Sequence, residues 1–331
     1  MTDRSLLGPW VRRFLLDYLV KERNLAINTR ASYRDMLIQL LPYASAYWKK
    51  PIDRLAVTDL SAELLRDFLA HLEGNRHCSV MTRNQRLGGL HALAQFIGEN
   101  SPEHVAWCAQ VRLIPFKRTA QTPITYLDKP EMDALLAAPD RSTPQGERDY
   151  ALLLFLYNAG ARASEAAELK IGDIDWYAHS VHITGKGNKP RTCPLWPITL
   201  DQLQRATAQR GPDQHVFLNR NGQPITRFGI HTLVERHAMT AAIKTPSLGS
   251  KHVSPHVIRH TTATHLLRAG VEINTIRAWL GHVSLNTTNI YAETDLETKA
   301  RALATCTPST GGAKTRHWRD QPDLLEFLRG L

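Results

Sequence analysis

Apolar residues in the first third of the chain recur every three to four positions, the repeat that lines one face of an α-helix. Trp10, Val11, Phe14, Leu15, Tyr18 and Leu19 form one such stripe, and similar stripes run through residues 31–41, 61–72 and 81–97. The spacing predicts an all-helical domain over residues 1–114, with Asn28-Thr29 starting one of its helices. Residues 115–123 interrupt the pattern, because Pro115, Pro123 and the Lys117-Arg118 pair stand there with few large apolar groups. That composition suits an interdomain linker. Asp128-Lys129-Pro130-Glu131 then reads as a capping box that opens a helix, so a second domain spans residues 124–305.

Within this second domain the run from Tyr150 to Tyr157 reads as a buried helix, with Gly160 as its left-handed C-terminal cap and Ser164 as the cap of the helix that follows. Residues 181–191 hold two short extended runs around a Gly/Asn-rich turn, the pattern of a hairpin. Ser254 followed by Pro255 marks a helix start. Ile273, Ile276 and Leu280 form an inward stripe that Gly281 ends. After Cys306 the composition changes: residues 307–314 are rich in Pro, Ser, Thr and Gly, and Leu324, Leu325, Leu328 and Leu331 then lie on a short amphipathic segment. Residues 306–331 are therefore expected to be a tail whose short helix docks in a hydrophobic groove or folds back on its own domain. The expected class is mainly α with a small β-sheet, an all-helical N-terminal domain preceding an α+β domain.

Composition narrows the partners. At 331 residues the chain has room for two ordinary domains, and its formal charge of +10 with a pI near 9.6 is positive in both halves, as in a protein that grips a polyanion. Arg30, Arg34, Arg83 and Arg86, taken together, are expected to contact phosphates. Cys78, Cys108, Cys193 and Cys306 are scattered without a Cys-x-x-Cys pair, which suits a reducing cytoplasm. No signal-like N-terminus or long apolar stretch stands out, so a soluble cytoplasmic protein without a membrane partner is expected.

Six residues carry candidate chemistry. Tyr291 bears a phenol with an ordinary pKa of about 10, a poor nucleophile unless cations lie close. Phosphoryl transfer asks mainly for positioning and for charge stabilisation of oxygens, which guanidinium groups supply in bidentate fashion. Arg162 sits on the tight bend after Gly160. His256 and Arg259, three apart, share the first turn of the helix opened by Ser254-Pro255, where free N–H groups and the helix dipole also favour an anion. Lys186 lies at the hairpin turn, where an amine of lowered pKa can protonate a leaving oxygen. Lys189 is its rival, and a basic hairpin that only touches phosphate remains the alternative. His282 follows Gly281, nine residues before Tyr291. Zinc at His252, His256 and His260 is disfavoured, since His252 precedes the helix start, no Glu follows His256 and Arg259 would crowd the ion.

Taken together, Gly160-Ala161-Arg162-Ala163-Ser164-Glu165, Gly185-Lys186-Gly187-Asn188-Lys189, His256-Val257-Ile258-Arg259-His260, Leu280-Gly281-His282 and the late Tyr291 resemble the tyrosine recombinases of the phage-integrase family, in their Xer-like two-domain form. The motifs are weak singly and strong in this order across about half the chain. The resemblance implies a SAM-like core-binding domain ahead of the catalytic one. It assigns Tyr291 as nucleophile, Arg162 and Arg259 as clamps on the scissile phosphate, and Lys186 as general acid. His256 and His282 assist, with the base left open between them, and Glu165 supports the site from behind. Ile258 stands where leucine is commoner, and Ala292-Glu293 follow the tyrosine where Thr-His is frequent.

The same resemblance implies a 3'-phosphotyrosine, a Holliday-junction intermediate, double-stranded DNA with a specific site as partner, a DNA-bound tetramer, and no metal or nucleotide cofactor. In agreement, the chain carries no phosphate-binding Gly-x4-Gly-Lys-Ser/Thr motif. Two other functions are in play: a type IB topoisomerase, which shares the chemistry but relaxes DNA as a monomer and which the small helical N-terminal domain and docking tail disfavour, and a silent DNA-binding regulator on the same scaffold, which the complete set of six disfavours.

Overall fold

The computed structural model describes residues 5–119, 125–185 and 189–281. The chain divides into two compact units, Met1–Thr122 and Pro123–Leu331.

The described residues of the first unit are mainly helical: α1 (Leu7–Arg13), α2 (Ile27–Trp48), α3 (Ala62–Gly74), α4 (Val80–Asn100) and α5 (Val105–Arg112). α1 runs on without a break into a π-helical stretch, Phe14–Glu22, in which Arg23 N–H still donates to Tyr18 O at 2.9 Å, a five-residue step. The wider turn explains why Phe14 and Leu19 are fully buried whereas Tyr18 is only partly so. Ser61 and Ser79 cap α3 and α4, accepting from Leu64 N–H and Thr82 N–H, both at 3.2 Å. Asn28 and Thr29, expected to start a helix, fall inside the first turn of α2, whose N-cap is Ala26. Trp10 and Phe14 close on Phe96 at 6.2 and 5.7 Å between ring centres, and the Trp107 indole donates to Leu60 O at 2.8 Å, so these large side chains of the core meet specific partners.

One expected phosphate contact is structural instead. Arg83 is only 5% exposed, and its Nη1 donates to Asn84 Oδ1 at 3.1 Å and Pro115 O at 2.9 Å. Arg86 Nη1 donates to Ser32 O at 3.0 Å. Lys117 is held by Asn84 through both backbone groups and by Glu73 at 2.6 Å, so the start of the expected linker belongs to the helical unit.

The second unit contains α6 (Lys129–Ala137), α7 (Pro144–Ala159), α8 (Ala163–Glu168), β1 (Ile174–Asp175), β2 (Ser180–Gly185), β3 (Lys189–Pro194), α9 (Pro197–Thr207), α10 (Arg227–Lys244), α11 (Pro255–Arg268) and α12 (Ile273–Leu280). Its described strands form one antiparallel sheet in the order β1-β2-β3, with Val181 opposite Cys193, Ile183 opposite Arg191 and Gly185 opposite Lys189. Val181, Ile183 and Cys193 turn inward into the core that α7 also fills, whose Leu152, Leu153, Phe155 and Leu156 are fully buried, each contributing about 1.5–3 kcal/mol of burial. α11 is tied to α7 by Thr262 Oγ1 donating to Tyr157 O at 2.7 Å and by a Tyr157 hydroxyl to His265 Nδ1 contact of 2.8 Å. Buried Asp149 on α7 is held by Arg236 at 2.6 Å and His237 at 2.8 Å, which fixes α10 against the same helix. No helix among the described residues is long and apolar enough to cross a membrane.

Candidate active site

Two backbone bends place the arginines. Gly160 ends α7 at φ +56°, ψ +32°, and a Cβ there would stand 2.4 Å from Leu280 Cδ2, so both its handedness and its close approach to α12 demand glycine. The chain re-enters a helix at once, with Arg162 itself as the N-cap of α8. Ser164 therefore lies inside the first turn and is not the cap that its residue type suggested. The free N–H of Arg162 is taken by Glu165 Oε2 at 2.8 Å, and Arg162 Nη1 reaches Glu165 Oε1 at 2.7 Å.

Glu165 is the electrostatic centre of this end of the unit. Its side chain is 4% exposed, and Arg191 from β3 approaches the same carboxylate with Nη2 at 2.7 Å and Nη1 at 3.1 Å. Burial alone would raise the carboxyl's pKa, but the Arg191 hydrogen bonds and charge, together with the Arg162 N–H groups, outweigh it and pull the value to about 2. Arg191 also donates from Nε to Trp279 O at 2.9 Å, near the end of α12. Sequence reading did not single out Arg191. Its signal lay in strand alternation, which puts it on the face of Cys193, an inward position where a cation needs an anion.

Ser254 caps α11, accepting from Val257 N–H at 3.3 Å, with Pro255 at the first helical position as expected. Arg259, one turn in, is 1% exposed. Its Nη1 donates to Gly160 O at 2.6 Å and its Nη2 to Leu280 O. These are terminal carbonyls of α7 and α12, which lack helical partners. One guanidinium thus locks two helix ends and is itself held in a single plane. His256 lies exposed on the same turn; the packed helix start lowers its proton affinity, and Arg259 and Arg162 lower it further by charge. The His260 ring meets His256 edge to face at 4.2 Å, and its pKa falls to about 4, through burial first and then His256 and Arg259.

Arg162, His256 and Arg259 line one open cavity of about 410 Å³, together with Ser254 and His231. The sequence-predicted trio is therefore brought together from α8 and α11. Lys186, His282 and Tyr291 lie outside the described residues. Their chain neighbours converge nevertheless. Gly185 and Gly281 border a second cavity of about 690 Å³, lined also by Lys189, Arg191 and Trp279. A Cβ on Gly185 would meet Glu165 Oε1 at 3.3 Å, and one on Gly281 would meet Arg191 Cδ at 3.1 Å. Gly281 ends α12 in the left-handed conformation, φ +64°, as its position after the apolar stripe predicts. Chemically, the described part of the site offers two oriented guanidiniums and an imidazole that is neutral at pH 7, surroundings suited to a phosphate diester.

Comparison with known proteins places this geometry. Residues 125–297 match the phage integrase family, and residues 12–100 match the N-terminal SAM-like domain of phage integrases. A putative integrase/recombinase, y4rC, of Sinorhizobium fredii is 38% identical over the full length of both chains. The tyrosine recombinase XerC of Pelobacter propionicus is 31% identical over 87% of this chain and 91% of its own. Among solved structures, the Tn1549 transposon integrase in complex with a circular intermediate DNA shares the fold at a TM-score of 0.68 and 15% identity, covering 89% of this chain and 99% of the other. XerH bound to a palindromic difH substrate does so at 0.63 and 22% identity, over 85% and 81%. With both domain families matched in order and a relative aligned from end to end, the chain belongs to the phage integrase family of tyrosine recombinases, enzymes that cleave and rejoin DNA.

Proposed function

We propose that this recombinase acts on a specific site in double-stranded DNA, with Tyr291 as nucleophile and Arg162 and Arg259 gripping the scissile phosphate. The observation that carries the reading is the shared cavity of Arg162, His256 and Arg259, in which guanidiniums from two helix starts line one open space with room for a DNA phosphate. Attack by the Tyr291 oxygen on phosphorus forms a 3'-phosphotyrosine as the bond to the 5' oxygen breaks. Lys186 donates a proton to that leaving oxygen. His256 and His282 hydrogen-bond the phosphate and manage the proton of the phenol. The bond energy stays in the phosphotyrosine, and attack by a 5' hydroxyl of the partner duplex then restores the DNA backbone through a Holliday junction. No step calls for a metal or nucleotide. Four copies assemble on two DNA sites in the cytoplasm, residues 306–331 docking between neighbours.

The test begins by selecting the preferred site from a random-sequence duplex pool with the full-length protein, then building a nicked suicide substrate on that site. A covalent 3' adduct is expected, absent in Tyr291→Phe. Arg162→Ala and Arg259→Ala are expected to lose the adduct while keeping most of their affinity for the site. An adduct that forms on any sequence with supercoil relaxation overturns the reading in favour of a topoisomerase, and specific binding without adduct overturns it in favour of a regulator.

A further inference from the structure

We propose that His231, Glu235 and His252 form a binding site for a divalent transition-metal ion of the zinc type, separate from the strand-transfer chemistry. α10 sets His231 and Glu235 one turn apart on one face, and the segment before α11 brings His252 to them from another part of the chain. Nε2 of His231 lies 3.3 Å from Glu235 Oε1, and Nε2 of His252 approaches the same oxygen at 3.9 Å. One ligand atom from each residue lies within 4.8 Å of the other two.

A tetrahedral zinc ion with bonds of about 2.0–2.2 Å holds its ligand atoms about 3.3–3.5 Å apart. The His231–Glu235 pair already has that spacing, the His252–Glu235 distance need shorten by only about half an ångström to match it, and the exposed His252 side chain is free to turn toward the ion. Hydrogen bonding to the carboxylate does not account for the cluster, because 3.9 Å is beyond its range for His252. Two imidazoles and one carboxylate favour zinc or its neighbours over magnesium or calcium, which prefer oxygen ligands throughout. The site is unrelated to the His252, His256 and His260 spacing: His256 and His260 meet edge to face on α11, whereas His252 faces α10.

His231 also borders the cavity of Arg162, His256 and Arg259. A metal ion here clips α10 to the segment that Ser254 caps, and so braces the helix start from which His256 and Arg259 project. Its effect is on the stability of that start, through preferential binding to the folded chain.

The experiment uses the full-length protein, stripped with a chelator and titrated with Zn²⁺ against a chromogenic zinc indicator. The wild type is expected to withdraw one equivalent, with affinity at least about tenfold weaker in each of His231→Ala, Glu235→Gln and His252→Ala. His179→Ala, a change at another exposed histidine, should bind as the wild type does. Zn²⁺ should raise the melting temperature of the wild type and leave that of His252→Ala, an exposed position that does not threaten folding, unmoved. Co²⁺ in the wild type should give visible absorption without a thiolate charge-transfer band. No withdrawal of Zn²⁺, equal withdrawal by all four variants, or a cobalt–thiolate band would each overturn the proposal.

Discussion

Glu165 keeps a full negative charge in a nearly dry position because Arg162 and Arg191 surround its carboxylate with N–H donors. Replacing it by glutamine leaves Arg191, itself 6% exposed, as a buried cation without its counter-ion. Glu165→Gln is expected to cost about 3–5 kcal/mol in urea unfolding, and to reduce cleavage further, since Arg162 loses the partner that orients it. The pH dependence follows from the same carboxyl. Its folded pKa, about 2, lies below the ordinary 4.5, so its stabilisation is complete above pH 4.5 and is lost as pH falls from there toward 2. The wild type should therefore lose stability across that window more steeply than Glu165→Gln. Parallel acid-unfolding curves would show that the charge is not what holds the site together.

Helix termini are the elements that build this site: Arg259 spans the ends of α7 and α12, and Arg162 opens α8 one turn beyond the first of them. Gly160→Ala attacks that junction directly, combining a left-handed backbone with a methyl group pressed on Leu280. A loss of about 2–4 kcal/mol is expected, with adduct yield falling along with it; unfolding like the wild type's would mean that the bend relaxes freely. These junctions also decide what was legible in the sequence. Gly160, Ser254-Pro255 and Gly281 announce themselves, because caps obey local rules that a few neighbouring residues satisfy. Ser164 and Asn28-Thr29 misled by one or two positions, since a carboxylate three residues on caps Arg162 equally well and Ala26 can end a turn without a side-chain bond. The partners of Arg191 and Arg83 were illegible, because Glu165, Trp279 O and Pro115 O lie 26, 88 and 32 residues away. Only folding makes those pairs. The π-helical stretch after α1 was missed for a related reason: a stripe at helical spacing does not distinguish a step of four from one of five until Leu19 finds its core.

On the scale of the whole molecule, the excess of positive charge is the feature most directly tied to its partner. Neutralising phosphates releases condensed counter-ions, so the logarithm of the association constant should fall linearly with that of the salt concentration. For 6–10 phosphate contacts, raising salt from about 50 to 200 mM should weaken binding by about 10³–10⁵. Fluorescence anisotropy with the selected duplex measures the slope, and a nearly flat line would deny the backbone a major share in recognition.

The bond from Arg191 to Trp279 O makes the hairpin and the last turn of α12 a single lever. A side chain rooted in β3 grips the helix two residues before Gly281 ends it, so a load that tilts β3 is delivered to the last turn of α12, and a tug on that turn is felt back in the strand. The sheet edge and the helix end are then parts of one stiff piece.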